Sequence, residues 1–145
     1  MIIRVLVGTL VGGITMILLG WLIFGFLLAE FFRNSMINYP GLVKDPPDII
    51  PLVLFNFAYA WLIAFVFEYW AKIRDFVSGL KAGALIILPV IFGINMQYQA
   101  FMNIITGLTP VIADVLLTTL VGAIVGGVIG FTLGKLAGNE TPEMA

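Results

Sequence analysis

Along the chain, charged positions gather at Arg4, between Glu30 and Asp48, between Glu68 and Lys81, at Asp114 and from Lys135 onward, and long apolar runs separate them. The runs extend over about Val5 to Phe32, Ile50 to Ala71, Phe76 to Met102 and Pro110 to Leu136. A hydrocarbon core about 30 Å thick needs roughly 20 helical residues to cross it, and each run is that long. The runs are continuously apolar rather than alternating in steps of two, which excludes a closed barrel of roughly 10-residue strands. The pattern predicts an all-α integral membrane protein, with one domain over residues 1–145 built as a bundle of four transmembrane helices. A loop over 33–49 and a mobile tail over 137–145 complete it. Arg4 ahead of an apolar stretch resembles a signal peptide. The uncharged run is longer than an h-region of roughly 7–15 residues, and no small-x-small cleavage site precedes Glu30, so a retained span is expected.

The ends of the runs carry matching signals. Asp48 is placed to cap the second helix, with Pro51 in its first turn; Asp75 or Ser78 is placed to cap the third; Thr109 followed by Pro110 opens the fourth. Lys72 and Arg74 fall just past the second helix, where cations complement exposed carbonyls. With four spans, the N-terminus, the connection between the second and third helices and the C-terminus share one side. That side holds Arg4, Lys72, Arg74, Lys81 and Lys135, against Arg33 and Lys44 on the other. The positive-inside rule then places both termini in the cytoplasm and the 33–49 loop outside. The short link around "NIITGLTP" requires the third and fourth helices to be antiparallel neighbours.

Composition narrows the chemistry. Hydrophobic residues make up 61% of the chain and charged residues 10%, with a formal net charge of -1. Basic residues never cluster beyond a pair, so nucleic acid is not an expected partner. There is no histidine and no cysteine, which removes the commonest general base, the commonest metal ligand and thiol chemistry. No catalytic residue, metal or cofactor is expected, and the chain is expected not to be an enzyme.

Glycines form the main internal pattern. Gly122, Gly126, Gly130 and Gly134 recur every fourth residue in the last run, Gly8, Gly12 and Gly20 share that phase in the first, and Gly79 and Gly83 open the third. In lipid, helices associate through close backbone approach, and small residues permit it. These glycines are therefore expected to pack helices against one another, within a bundle or between subunits. Pro89 inside the third run predicts a kink, softened by Gly93.

Polar residues within the runs need an account, because a charge in the membrane costs about 2.5–3.5 kcal/mol on insertion scales. Glu30 with Arg33, and Glu68 with Lys72, are spaced for helical ion pairs. Asp114 has no basic residue in neighbouring turns. On the inferred topology Glu30, Asn56, Asn95, Gln99 and Asp114 all fall in the external half, a candidate polar pocket aided by Trp21, Tyr59 and Tyr98. A buried hydrogen-bond network, a ligand or ion site, and plain interfacial exposure are all compatible with that placement. Trp61, near mid-membrane, is expected to pack, and Tyr69-Trp70 to sit in the interfacial belt.

The stretches "LLGWLIFGFLLAEFF", "NFAYAWLIAFVF", "GLKAGALI" and "ADVLLTTLVGAIVGGVIGFTLGK" resemble a family of small bacterial four-span membrane proteins known only as a domain of unknown function. In that family the tryptophan and glycine of the first span, the asparagine of the second and the aspartate of the last recur, corresponding here to Trp21, Gly25, Asn56 and Asp114. The resemblance implies no catalytic residues. The leading expectation is a non-enzymatic scaffold or accessory subunit in the bacterial cytoplasmic membrane, self-associated or joined to other membrane subunits. The alternative is a small channel, transporter or lipid-binding protein using the pocket around Asp114.

Overall fold

The structure, a computed structural model, describes residues 1–138. It is all-helical in its long elements: α1 (Ile2–Gly20), a π-helical continuation (Trp21–Leu27), a short α2 (Ala29–Asn34), α3 (Ile49–Phe65) with its own π-helical end (Val66–Ala71), α4 (Phe76–Phe101) and α5 (Thr109–Gly138). Among the described residues four helices, Ile2–Leu27, Ile49–Ala71, Phe76–Phe101 and Thr109–Gly138, are long and apolar enough to cross a membrane. The mobile tail expected from 137 onward is corrected at its start, since Ala137 and Gly138 are helical; residues 139–145 lie outside those described.

The first run is not one helix to Phe32. Wider π-type winding begins at Trp21, and the chain breaks at Leu28 (φ -119°, ψ 14°) before α2 restarts. The third run continues as helix through Pro89, whose ring lies on an exposed face. Of the expected caps, Asp75 acts as one, accepting from the Ser78 amide at 2.8 Å. That amide and the Ser78 side chain hold the Asp75 carboxyl below the usual carboxylate range. Asp48 stands at the N-cap position of α3, but its side chain does not cap the helix; the carboxylate pairs with Lys44 instead.

α5 is the central element: 44% of its apolar window is buried, against 22% or less for the other three spans. On one side it meets α4 along a seam of bare backbone. A β-carbon added at Gly83 would stand 2.9 Å from the Gly126 Cα, and one at Gly130 would stand 2.5 Å from the Asp75 carbonyl oxygen. Gly79, Gly126 and Gly134 are as tightly enclosed by backbone, Gly134 by that of Arg74, whereas Gly122 receives the Ile87 side chain. Real β-carbons do not approach backbone this closely, so the backbone-facing positions admit only hydrogen. On its other side α5 meets α1, where Gly8 and Gly12 receive Ile129 while also facing Ala64 and Ala60 of α3. Gly20 departs from the expected packing role, with nothing within 4 Å of an added β-carbon, whereas Gly13, which the spacing pattern passed over, packs on the Phe57 ring.

The fully buried side chains Ile63, Phe67, Val125, Ile129 and Leu133 fill one half of the bundle, the half that ends in a cluster of charges. Glu68 is only 1% exposed there, with Arg74 Nη2 at 2.7 Å and Arg4 Nη1 at 3.5 Å from its carboxylate oxygens. The expected Glu68–Lys72 pair is corrected. The backbone turns left-handed at Lys72 (φ 51°) and ends the helix, so Lys72 Nζ donates to the Glu68 carbonyl at 2.9 Å and Arg74 takes the carboxylate. Arg74 also donates to the Phe67 carbonyl at 3.3 Å, the cation-on-carbonyl role that position suggested. Glu30 and Arg33 are both exposed and form no ion pair among the described residues. Trp61, expected to pack, is 49% exposed on the outer face, against the Phe65 ring.

Candidate functional site

The half of the bundle away from the charge cluster is hollow. There the α1–α3 pair and the α4–α5 pair separate around a partly open cavity of about 390 Å³ lined by all four spans. This volume falls within the roughly 300–1,000 Å³ typical of small-molecule sites. Each wall has a local origin. Gly20 supplies no side chain, and the π-helical turn that follows carries Phe24 to the wall; α3 contributes Phe55, Asn56 and Tyr59 from successive turns. The Ile87, Ile91 and Ile94 side chains make the α4 wall apolar, and Asn95, Asp114 and Thr118 concentrate polarity at one place.

At that place Asn95, only 3% exposed, uses both of its amide hydrogens. It donates to Asp114 Oδ2 at 2.7 Å and to the Ile91 carbonyl at 3.1 Å. Thr118 donates to Asp114 Oδ1 at 3.3 Å. The Asp114 carboxyl thus bridges α5 to α4 across their seam. No ion pair engages Asp114 among the described residues, and no group of three or more His, Cys, Asp or Glu side chains among them is placed to hold a metal. Asn56 lines the cavity from the opposite wall, with its amide donated to its own helix at the Leu52 carbonyl, 2.7 Å away.

Of the five pocket residues expected from the sequence, the fold brings together Asn56, Asn95 and Asp114. Glu30 and Gln99 are corrected: both are exposed and neither lines the cavity. Glu30 leaves because the break at Leu28 turns α2 away from α1. Gln99 sits four residues beyond Asn95, but α4 is exposed on every face from Met96 to Phe101, so helical phase alone does not bring it inward. Tyr59 and Tyr98 line the wall as expected, whereas Trp21 is 66% exposed and stacks on Phe26.

The sequence did not signal what covers this end. Residues after α2 and after α4 form a small strap, an antiparallel bridge between Met36 and Ile105. Ile37 donates to the Ile104 carbonyl at 2.7 Å, and the Thr106 amide and hydroxyl both donate to the Ser35 carbonyl at 2.9 Å. Ile105 lines the large cavity, and a second cavity of about 70 Å³ lies between the strap and the Asn95–Asp114 pair. The loop patterns held only one weak cue, the β-branched Ile104, Ile105 and Thr106. Comparison with protein-family models, with curated proteins and with solved structures gave no match.

Proposed function

We propose that this chain is a small binding or carrier protein of the bacterial cytoplasmic membrane that holds an amphiphile between its four spans. One observation supports this most: a largely apolar cavity of about 390 Å³, lined by every span, with Asp114, Asn95 and Thr118 gathered at one polar corner. A space of this shape in a lipid-embedded bundle suits an apolar tail with one polar group. The glycines that favoured a scaffold are largely used inside the chain, Gly79, Gly83, Gly122, Gly126 and Gly130 against its own backbone and side chains.

The cavity has a clean test at Gly20, which lines it and where a β-carbon meets nothing within 4 Å. Purified in mild detergent, the wild-type chain is expected to retain a stoichiometric amphiphile detectable by mass spectrometry. Gly20→Leu is expected to lose it while eluting from size exclusion as the same folded species, since the added side chain meets open space. Equal retention by both proteins rejects the cavity as the site. A stoichiometric membrane protein in place of an amphiphile favours the accessory-subunit role instead.

Both termini are assigned to the cytoplasm, because the end bearing Arg4, Lys72, Arg74, Lys81 and Lys135 is the more basic. The polar corner then opens in the outer half of the membrane. The native absence of cysteine permits a direct check in intact cells with an impermeant thiol reagent. Asn38→Cys is expected to label and Asn139→Cys to stay unlabelled; the opposite result reverses the orientation.

A further inference from the structure

Taking the cavity to be an amphiphile site, we propose that its polar corner selects a protonated amine, so that the occupant is an alkylammonium-type amphiphile. The corner presents acceptors. Both amide hydrogens of Asn95 are already donated, to Asp114 and to Ile91, which leaves its side-chain oxygen as an acceptor. The Thr118 hydroxyl gives its hydrogen to Asp114 and likewise retains an accepting oxygen. An ionised carboxylate has about four lone-pair sites, of which Asn95 and Thr118 use two. A corner made of Asp114, Asn95 and Thr118 oxygens matches a group that brings several N–H donors and a positive charge. It repels carboxylate and phosphate groups.

Three further observations agree with a cationic head. Among the described residues no lysine or arginine lines the cavity, so none of them supplies a counter-ion at the site. Phe24, Phe55, Tyr59 and Tyr98 line the walls, and aromatic faces attract ammonium groups. The strap through Ile105 lies over this end, covering the head group while the isoleucines of α4 accept the tail.

The experiment titrates dodecylammonium, dodecanol and dodecanoate into the full-length protein in maltoside micelles and follows thermal stability. Wild type is expected to show saturable stabilisation by dodecylammonium, weaker stabilisation by dodecanol and none by dodecanoate. Asp114→Asn is expected to weaken the dodecylammonium response by about tenfold or more, since a charge-assisted contact is lost, and to leave the dodecanol response within about twofold. Gly20→Leu is expected to remove both. Equal binding of amine and alcohol by wild type and Asp114→Asn, or preference for dodecanoate, overturns the head-group assignment while the cavity stands. Absence of saturable binding by all three probes, or binding indifferent to Gly20→Leu, rejects the cavity itself and the assignment with it.

Discussion

Gly83→Leu is expected to abolish the folded protein in detergent, while Gly93→Leu, ten residues along the same helix, leaves it intact. At Gly83 an added β-carbon would meet Gly126 Cα at 2.9 Å and Gly126 N at 3.2 Å, with the Gly122 carbonyl closer still. Those neighbours are backbone, so no rotamer change relieves the clash; α4 and α5 must move apart along their whole contact. Overpacking a core commonly costs about 1–3 kcal/mol where side chains can adjust, and here they cannot. At Gly93 nothing lies within 4 Å and the position is exposed. There leucine replaces the poorest non-proline helix former, with a gain of up to about 1 kcal/mol. Thermal unfolding and size-exclusion profiles of the two variants provide the check, and a Gly83→Leu protein that melts like wild type would show that the helices do not meet through backbone.

The second large effect is expected at Glu68. Its carboxylate is almost wholly buried between Arg74 and Arg4, and it joins three parts of the chain: the start of α1, the end of the second span and the turn into α4. Glu68→Ala removes the carboxylate that Arg74 and Arg4 share, and breaking a buried pair by removing one partner costs about 3–5 kcal/mol. Glu68→Gln keeps an acceptor and is expected to lose less. The discriminating variant is Glu68→Ala with Arg74→Ala, because removal of one uncompensated cation should return part of the stability. If the two single losses simply add, the ion pair contributes no coupling energy. Either outcome is read from melting temperatures of the two single variants and the double variant.

Both effects lie at places where local pattern and long-range packing give different information. The glycine spacing on α5 was legible because a four-residue repeat keeps residues near one face of a helix, advancing about 400° per step. Which glycines of such a pattern find a partner was not. The short "NIITGLTP" link pointed to α4, and Gly79 and Gly83 do meet that stripe; Gly20 has the same spacing within α1 and touches nothing. Likewise, i,i+4 spacing nominated Lys72 as the partner of Glu68. The left-handed turn at Lys72 gave that role to Arg74 and to Arg4, which is remote in sequence.

The sequence by itself determined that the chain carries four helices long and apolar enough to cross a membrane, where the second, third and fourth of them begin and end to within a few residues, and that Asp114 lacks a basic neighbour. Each of these depends on hydrophobic length, on backbone hydrogen bonding that lipid forces to be internal, or on neighbours within one turn. Only the tertiary structure decided that Asn56, Asn95 and Asp114 share a cavity while Glu30 and Gln99 do not, and that a strap from two separate loops adds Ile105 to its lining. Those outcomes depend on the break at Leu28, on the π-helical winding from Trp21, and on a bridge between Met36 and Ile105. Such features arise where the backbone yields to the packing of distant segments, and hydropathy carries no record of that.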